Sequence, residues 1–192
     1  MRNTTPITIL ILLTLLLSSS VTYAQGWFDT DWPYRKPITI DADQVDVNFT
    51  NFPVLIDIAD ADLDNKAQAD GDDIFFTGAD GTSKLDHEIE SYSAGNLVAW
   101  VRVPSISSTA DTVIYMYYGN PTAGNQENPE GVWNTSYRGV WHLHDDFLDS
   151  TTNVNDATNN GSTDAVGQIA DGQDFNGTTD YIDAPNHDLG AF

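Results

Sequence analysis

Short runs that alternate apolar and polar residues are the feature of this sequence that most restricts its fold. A period of two places alternate side chains on opposite faces of a strand, and helical periodicity is nearly absent. Such runs, separated by Gly, Pro, Asn and Asp, predict a small antiparallel β-sandwich and an all-β fold class. The six runs are YRKPITI, FPVLIDI, DDIFFT, KLDHEIESY, NLVAWVRV and DTVIYMYYG.

The N-terminal segment predicts export. Arg2 precedes the apolar run ITILILLTLLL, and small residues follow it in SSSVTYAQ. This pattern is typical of a helical secretory signal peptide over residues 1–24, cleaved between Ala24 and Gln25. The run is shorter than the roughly 20 apolar residues of a membrane span, so we expect no span once the signal is removed. The expected location is secreted, periplasmic or at the cell surface.

Charge and cysteine content exclude several classes of function. The chain has 29 acidic and 7 basic residues, a net charge of −22, and loss of Arg2 with the signal gives 6 minus 29, or −23. This charge repels phosphate backbones and anionic lipids, which argues against nucleic-acid binding. The absence of Cys excludes disulfides, thiolate nucleophiles and Cys-based zinc sites.

The composition divides the chain into four parts. After the signal peptide, a sandwich domain is expected over 25–120. A polar, Pro-containing stretch, NPTAGNQENPEG, predicts a linker over 121–136. A second pattern occupies 137–192 and contains only about three strands, too few for two packed sheets. We therefore expect an incomplete sandwich there.

Two resemblances accompany these patterns. The order of WPYRKPITI, NFPVLIDI, DGDDIFFTGADG, KLDHEIESY, LVAWVRVPSI and IYMYYGN resembles a bacterial and archaeal exported domain, domain of unknown function 2341, over nearly all of Trp32 to Asn120. GVWHLHDDFLDST and DGQDFNGTTDYIDAP resemble the start of a concanavalin A-like, laminin-G-type jelly roll. The pairing implies a multi-module surface or secreted protein. Some relatives of the first domain are similar to periplasmic parts of proton-channel transport proteins.

The run KLDHEIESY presents three carboxylates, Asp86, Glu88 and Glu90, on one face of a strand. Residues two apart on a strand have Cα atoms roughly 6.5–7 Å apart, which overlaps the carboxylate spacing of glycosidases. A general acid also needs burial to raise its pKa, and the apolar residues lie on the other face. We therefore expect a solvent-facing set, or hydrogen bonds to Glu88 or Glu90 from a basic side chain: Arg35, Arg102 or Lys84.

Three further sets of residues have binding chemistry. The loop after Phe147 offers oxygen donors suited to calcium, although such side chains also bond their own turns: Asp149, Asn153, Asn155 and Asp156. His142 and His144 would share a strand face and could hold zinc with a third ligand, or serve only in packing. Trp100 is the candidate sugar-stacking platform, against a role in the core.

The sequence thus favours an exported, non-enzymatic protein for binding or adhesion. Glycans are the expected ligand class, with other surface proteins as further candidates and calcium as the expected cofactor if one is used. One alternative is a glycoside-active enzyme that uses Glu88 and Glu90. Another is an extracytoplasmic domain of a transport assembly of the proton-channel type.

Overall fold

A computed structural model describes residues 26–144 and 146–184. The expected signal peptide, with its cleavage point between Ala24 and Gln25, lies outside the described residues. Most of the described elements are antiparallel strands, so the predicted all-β class is confirmed. Within the described ranges, no helix has the length and apolar character needed to cross a membrane.

The sandwich is built from seven strands. They are β1 (Tyr34–Ile40), β2 (Phe49–Ala59), β3 (Phe75–Thr77), β4 (Lys84–Leu85), β5 (His87–Ser93), β6 (Asn96–Ile106) and β7 (Thr112–Tyr118). One sheet has the order β1-β7-β3-β4 and the other the order β2-β6-β5. A short 3-10 helix, Ala42–Gln44, precedes β2, and helix α1, Ala61–Lys66, follows it.

The core lies between these two sheets and follows the alternation in the sequence. On β6, Leu97, Ala99, Val101 and Val103 are buried, whereas the residues between them lie on the outer face of the sheet. They meet Ile114 and Met116 of β7 in one apolar cluster. Burial of apolar surface of this kind is the main favourable contribution to folding.

A two-residue turn joins β5 to β6 and fixes their register. Both of its central residues, Ala94 and Gly95, have positive φ, 47° and 77°. This geometry is that of a type I′ turn, whose twist matches that of the flanking strands. A Cβ on Gly95 would lie 2.4 Å from the carbonyl oxygen of Asp60, so only glycine fits there.

The chain after β7 returns to the edge of β5. The backbone N–H of Asn128 donates to the carbonyl of His87 at 2.9 Å, and the N–H of Ile89 donates to Glu127 Oε2 at 2.6 Å. Helix α2, Pro129–Val132, then brings Trp133 onto the outer face of the second sheet, where its side chain is buried. The stretch interpreted as a linker from its composition therefore covers what would be an open strand edge.

Residues 137–184 form two small ribbons. Strand β8 (Thr158–Asn160) pairs with β11 (Tyr181–Asp183), and β9 (Thr163–Val166) pairs with β10 (Asp171–Asp174). The expected strand through His142 and His144 is absent, because Leu143 between them has a left-handed φ of 56°. That expectation was wrong, since His142 turns toward the sandwich.

Candidate functional site

The carboxylates of β5 are covered rather than solvated. The side chains of Glu88 and Glu90 are only 10% and 4% exposed. The expectation of a solvent-facing set is wrong for both, because α2 and the segment that follows it pack over this face. Asp86 is half-buried and accepts a hydrogen bond from Asn128 Nδ2 at 2.8 Å.

An irregularity in the pairing of β5 with β6 lies at this site. Glu88 is opposite Trp100 and Ile89 opposite Ala99, but the next pair is Ser91 with Val98, so Glu90 is an extra residue. Bulges of this type re-aim side chains locally. Here Glu88 and Glu90 both reach the same imidazole.

His142 lies between the two glutamates. Its Nε2 is 3.1 Å from Glu88 Oε2, and its Nδ1 is 3.2 Å from Glu90 Oε2. Burial by itself would lower the pKa of His142, but the hydrogen bonds and charges of Glu88 and Glu90 outweigh it and raise the pKa to about 9. Burial would likewise raise the pKa of Glu88, yet His142, Ser150 and Trp133 hold it below its ordinary value. The imidazole is therefore a cation at neutral pH.

Two indoles complete this arrangement. Trp133 Nε1 donates to Glu88 Oε2 at 2.6 Å, and Trp100 Nε1 donates to Glu90 Oε2 at 2.7 Å. The Trp100 and Trp133 rings are 5.4 Å apart, and each lies near the His142 ring. We call Glu88, Glu90, Trp100, Trp133 and His142 the Glu–His–Trp cluster. Trp100 thus belongs to a packed hydrogen-bonded network and not to an open platform.

The basic residues expected to pair with these glutamates bond elsewhere. Arg102 donates to the carbonyl of Gly131 at 2.9 Å, and Lys84 donates to Gln126 Oε1 at 2.8 Å. Arg35 donates to the carbonyl of Gly26 and lies against the rings of Trp27 and Tyr115. That expectation was wrong, because the cation that pairs with Glu88 and Glu90 is a histidine more than fifty positions along the chain.

A cleft of about 610 Å³ opens beside the Glu–His–Trp cluster. Part of its lining comes from β5 and residues 127–130, and the rest from described residues between 142 and 156. Its carboxylates are Glu88, Glu90, Glu127, Glu130, Asp146, Asp149 and Asp156, and its apolar side chains are Ile89, Pro129, Leu148 and Val154. Burial raises the pKa of Glu127. The cleft therefore combines hydrogen-bond acceptors with apolar surface.

The Asp149 loop is organised by its own hydrogen bonds. Asp149 Oδ1 accepts from the N–H groups of Val140 and Thr151, and Oδ2 accepts from Thr151 Oγ1 and the N–H of Asn155. Burial would raise the pKa of Asp149, but these bonds hold it below its ordinary value. Asp156 Oδ1 accepts from the N–H of Asp149 at 3.0 Å.

The amides of this loop are also engaged. Asn155 Nδ2 donates to the carbonyl of Arg138 at 2.7 Å, and Asn153 Nδ2 donates to the carbonyl of Tyr137 at 3.1 Å. In the described part of the chain, no group of three or more His, Cys, Asp or Glu side chains is arranged to hold a metal ion. Calcium at this loop stays a prediction.

His144 does not join His142. Its Nδ1 lies 2.8 Å from Asp171 Oδ2 of β10, whereas His142 faces Glu88 and Glu90. The two imidazoles therefore serve different ion pairs, and the structure does not assemble the zinc pair considered from the sequence.

Residues 70–160 match the family model of a domain of unknown function, DUF2341. The matched region includes β3 to β7, α2 and the whole Glu–His–Trp cluster. Searches of curated proteins and of solved structures found no match. The likeness of the later residues to a jelly roll stays a prediction.

Within the DUF2341-like region, sequence reasoning missed Trp133, His142 and Ser150 as partners of the carboxylates. One signal was available. The predicted mature chain has six basic residues for 29 acids, so buried acids must often be compensated by other donors, and histidine and indole N–H groups are among them. The segments GVW (131–133) and GVWH (139–142) contain two of these donors, Trp133 and His142.

Proposed function

We propose that this is an exported, non-enzymatic binding or adhesion protein, secreted or held at the cell surface, that takes a glycan in the cleft beside the Glu–His–Trp cluster. In this proposal the DUF2341-like sandwich is followed by the start of a laminin-G-type jelly roll. The observation that supports it is the mixed lining of the cleft, in which carboxylates alternate with Ile89, Pro129, Leu148 and Val154.

The size and lining of the cleft fit this ligand class. Small-molecule sites have volumes of about 300–1,000 Å³ and combine apolar surface with a few placed polar groups. Carboxylates accept hydrogen bonds from sugar hydroxyls, and apolar side chains contact the C–H faces of a sugar ring. Leu148 and Val154 are 58% and 63% exposed, so these contact surfaces are open to a ligand.

The same geometry argues against Glu88 and Glu90 as glycosidase residues. A general acid of this class has a raised pKa, whereas the pKa of Glu88 is lowered. His142 also occupies the space between the two carboxylates, where the scissile bond of a substrate would have to lie. We therefore assign Glu88 and Glu90 a structural role: they hold His142 in place beside the cleft.

A glycan array probed with the exported form of the full chain tests this proposal. We expect one class of glycans to bind, and the double substitution Leu148→Arg/Val154→Arg to abolish that binding by filling the cleft. Val47→Arg/Val166→Arg is the matched control, because Val47 and Val166 are 57% and 93% exposed and neither is among the residues that line the cleft. A correctly folded chain that binds no glycan, or equal binding by both variants, would contradict the proposal.

A further inference from the structure

The charged side chains that line the cleft are almost all acidic. Seven carboxylates line the cleft, and the described lining includes no Lys or Arg. Its two histidines already have acidic partners: His142 lies between Glu88 and Glu90, and His144 is 2.8 Å from Asp171. The ligand-facing surface is therefore negative at neutral pH.

The cleft carboxylates differ in how many hydrogen bonds they already accept within the protein. Glu88 and Asp149 accept hydrogen bonds with both carboxylate oxygens, and Glu90 accepts one from Trp100, so these three are largely engaged within the protein. Glu130 and Asp146 are exposed and line the cleft from two different parts of the chain. A concave surface with walls of low polarity concentrates the field of such charges toward an entering ligand.

A neutral glycan donates hydroxyl hydrogen bonds to these carboxylates but brings no opposite charge, so part of the cost of desolvating them remains. A protonated amine compensates them, since an ammonium group donates three charge-assisted hydrogen bonds. Apolar side chains such as Leu148 and Val154 also favour a ligand with C–H surface over a bare cation.

We propose that the glycan taken by this cleft is an amino-sugar oligosaccharide with free, protonated amino groups, and this inference rests on the proposed glycan-binding function. The ammonium groups face Glu130 and Asp146, and the sugar rings pack on Leu148 and Val154. N-acetylated oligosaccharides of the same length lack the charge and bind more weakly.

Titration calorimetry with two ligands tests this. The exported full chain is titrated with glucosamine hexamer and, separately, with N-acetylglucosamine hexamer. We expect the free amine to bind at least about tenfold more tightly. The double substitution Glu130→Gln/Asp146→Asn should weaken amine binding about three- to tenfold, because it removes two exposed charge pairs with the ligand.

The control variant is Asp43→Asn/Asp46→Asn, which changes the net charge equally at two exposed positions that do not line the cleft. It should alter amine binding less than about twofold.

The outcomes separate the two proposals. If both hexamers bind equally and the cleft variant has no effect, the glycan site stands and its cationic specificity is refuted. If amine binding falls equally in cleft and control variants, the attraction is only that of net charge, and this inference is overturned. If neither hexamer binds and the array also shows no glycan, both proposals fail.

Discussion

Removal of the His142 imidazole should destabilise the protein strongly. In His142→Ala, Glu88 and Glu90 lose the cation that lies 3.1 and 3.2 Å from their oxygens and remain as two covered like charges. A rise in the pKa of His142 from 6.5 to about 9 corresponds to roughly 3 kcal/mol of interaction in the folded state. Breaking a buried pair by deleting one partner costs about 3–5 kcal/mol. We therefore expect the free energy of unfolding to fall by about 3 kcal/mol at pH 7.

Denaturant unfolding followed by tryptophan fluorescence measures this, because Trp100 and Trp133 lie against His142. The pH dependence has a defined sign. The folded-state pKa of His142 is above its unfolded value, so its contribution is fully present below about pH 6.5 and is lost as the pH rises toward 9. His142→Ala should remove this alkaline loss of stability.

His144→Ala is the matched control. The ion pair of His144 with Asp171 is more exposed, so its loss should cost less than about 1 kcal/mol. An unfolding midpoint for His142→Ala equal to that of the wild type, with the same decline between pH 6.5 and 9, would refute the proposed role of His142.

Two other predictions concern the sandwich. Burial lowers the pKa of His87 to about 4, below its unfolded value, so its neutral form stabilises the fold above pH 6.5 and this contribution is lost as the pH falls through 4. His87→Leu should therefore show a smaller drop in unfolding midpoint between pH 6.5 and 4 than the wild type; an unchanged drop would contradict this. Gly95→Ala should lower the unfolding free energy by about 1–3 kcal/mol, because its φ is positive and its Cβ would meet the carbonyl of Asp60. Gly124→Ala, with no atom within 4 Å of the added Cβ, should change it by less than about 0.5 kcal/mol, and equal effects at the two glycines would count against the argument.

The strands of the sandwich could be predicted from the sequence because their signal is local. The alternation of Leu97, Ala99, Val101 and Val103 on β6 depends only on a period of two and on which face is buried. The same holds for Ile114 and Met116 on β7. Such a pattern needs no knowledge of what packs on the other face.

The site could not be predicted in this way because its contacts are distant in sequence. Alternation shows that Glu88 and Glu90 share a face, but it does not show that Trp133 and His142 return to cover that face. The left-handed Leu143 is equally invisible, since the apolar and polar order of WHLH fits a strand. In the sequence, a buried carboxylate cannot be distinguished from an exposed one unless the position of the segment that covers it is known.

Glu127 and Asn128 hydrogen-bond to the edge of β5 but come after it in the chain. The order of synthesis therefore determines when this edge can be covered. A chain that emerges from its N-terminus completes β7 at Tyr118 with Trp100 already present, but before Trp133, His142 and Ser150 have appeared. Until Asn128 has emerged, the edge of β5 lacks the hydrogen bonds that later cover it, and until Ser150 has emerged, Glu88 lacks one of its donors. The last hydrogen-bond partner of Glu88 therefore becomes available only about thirty residues of chain growth after β7 is complete.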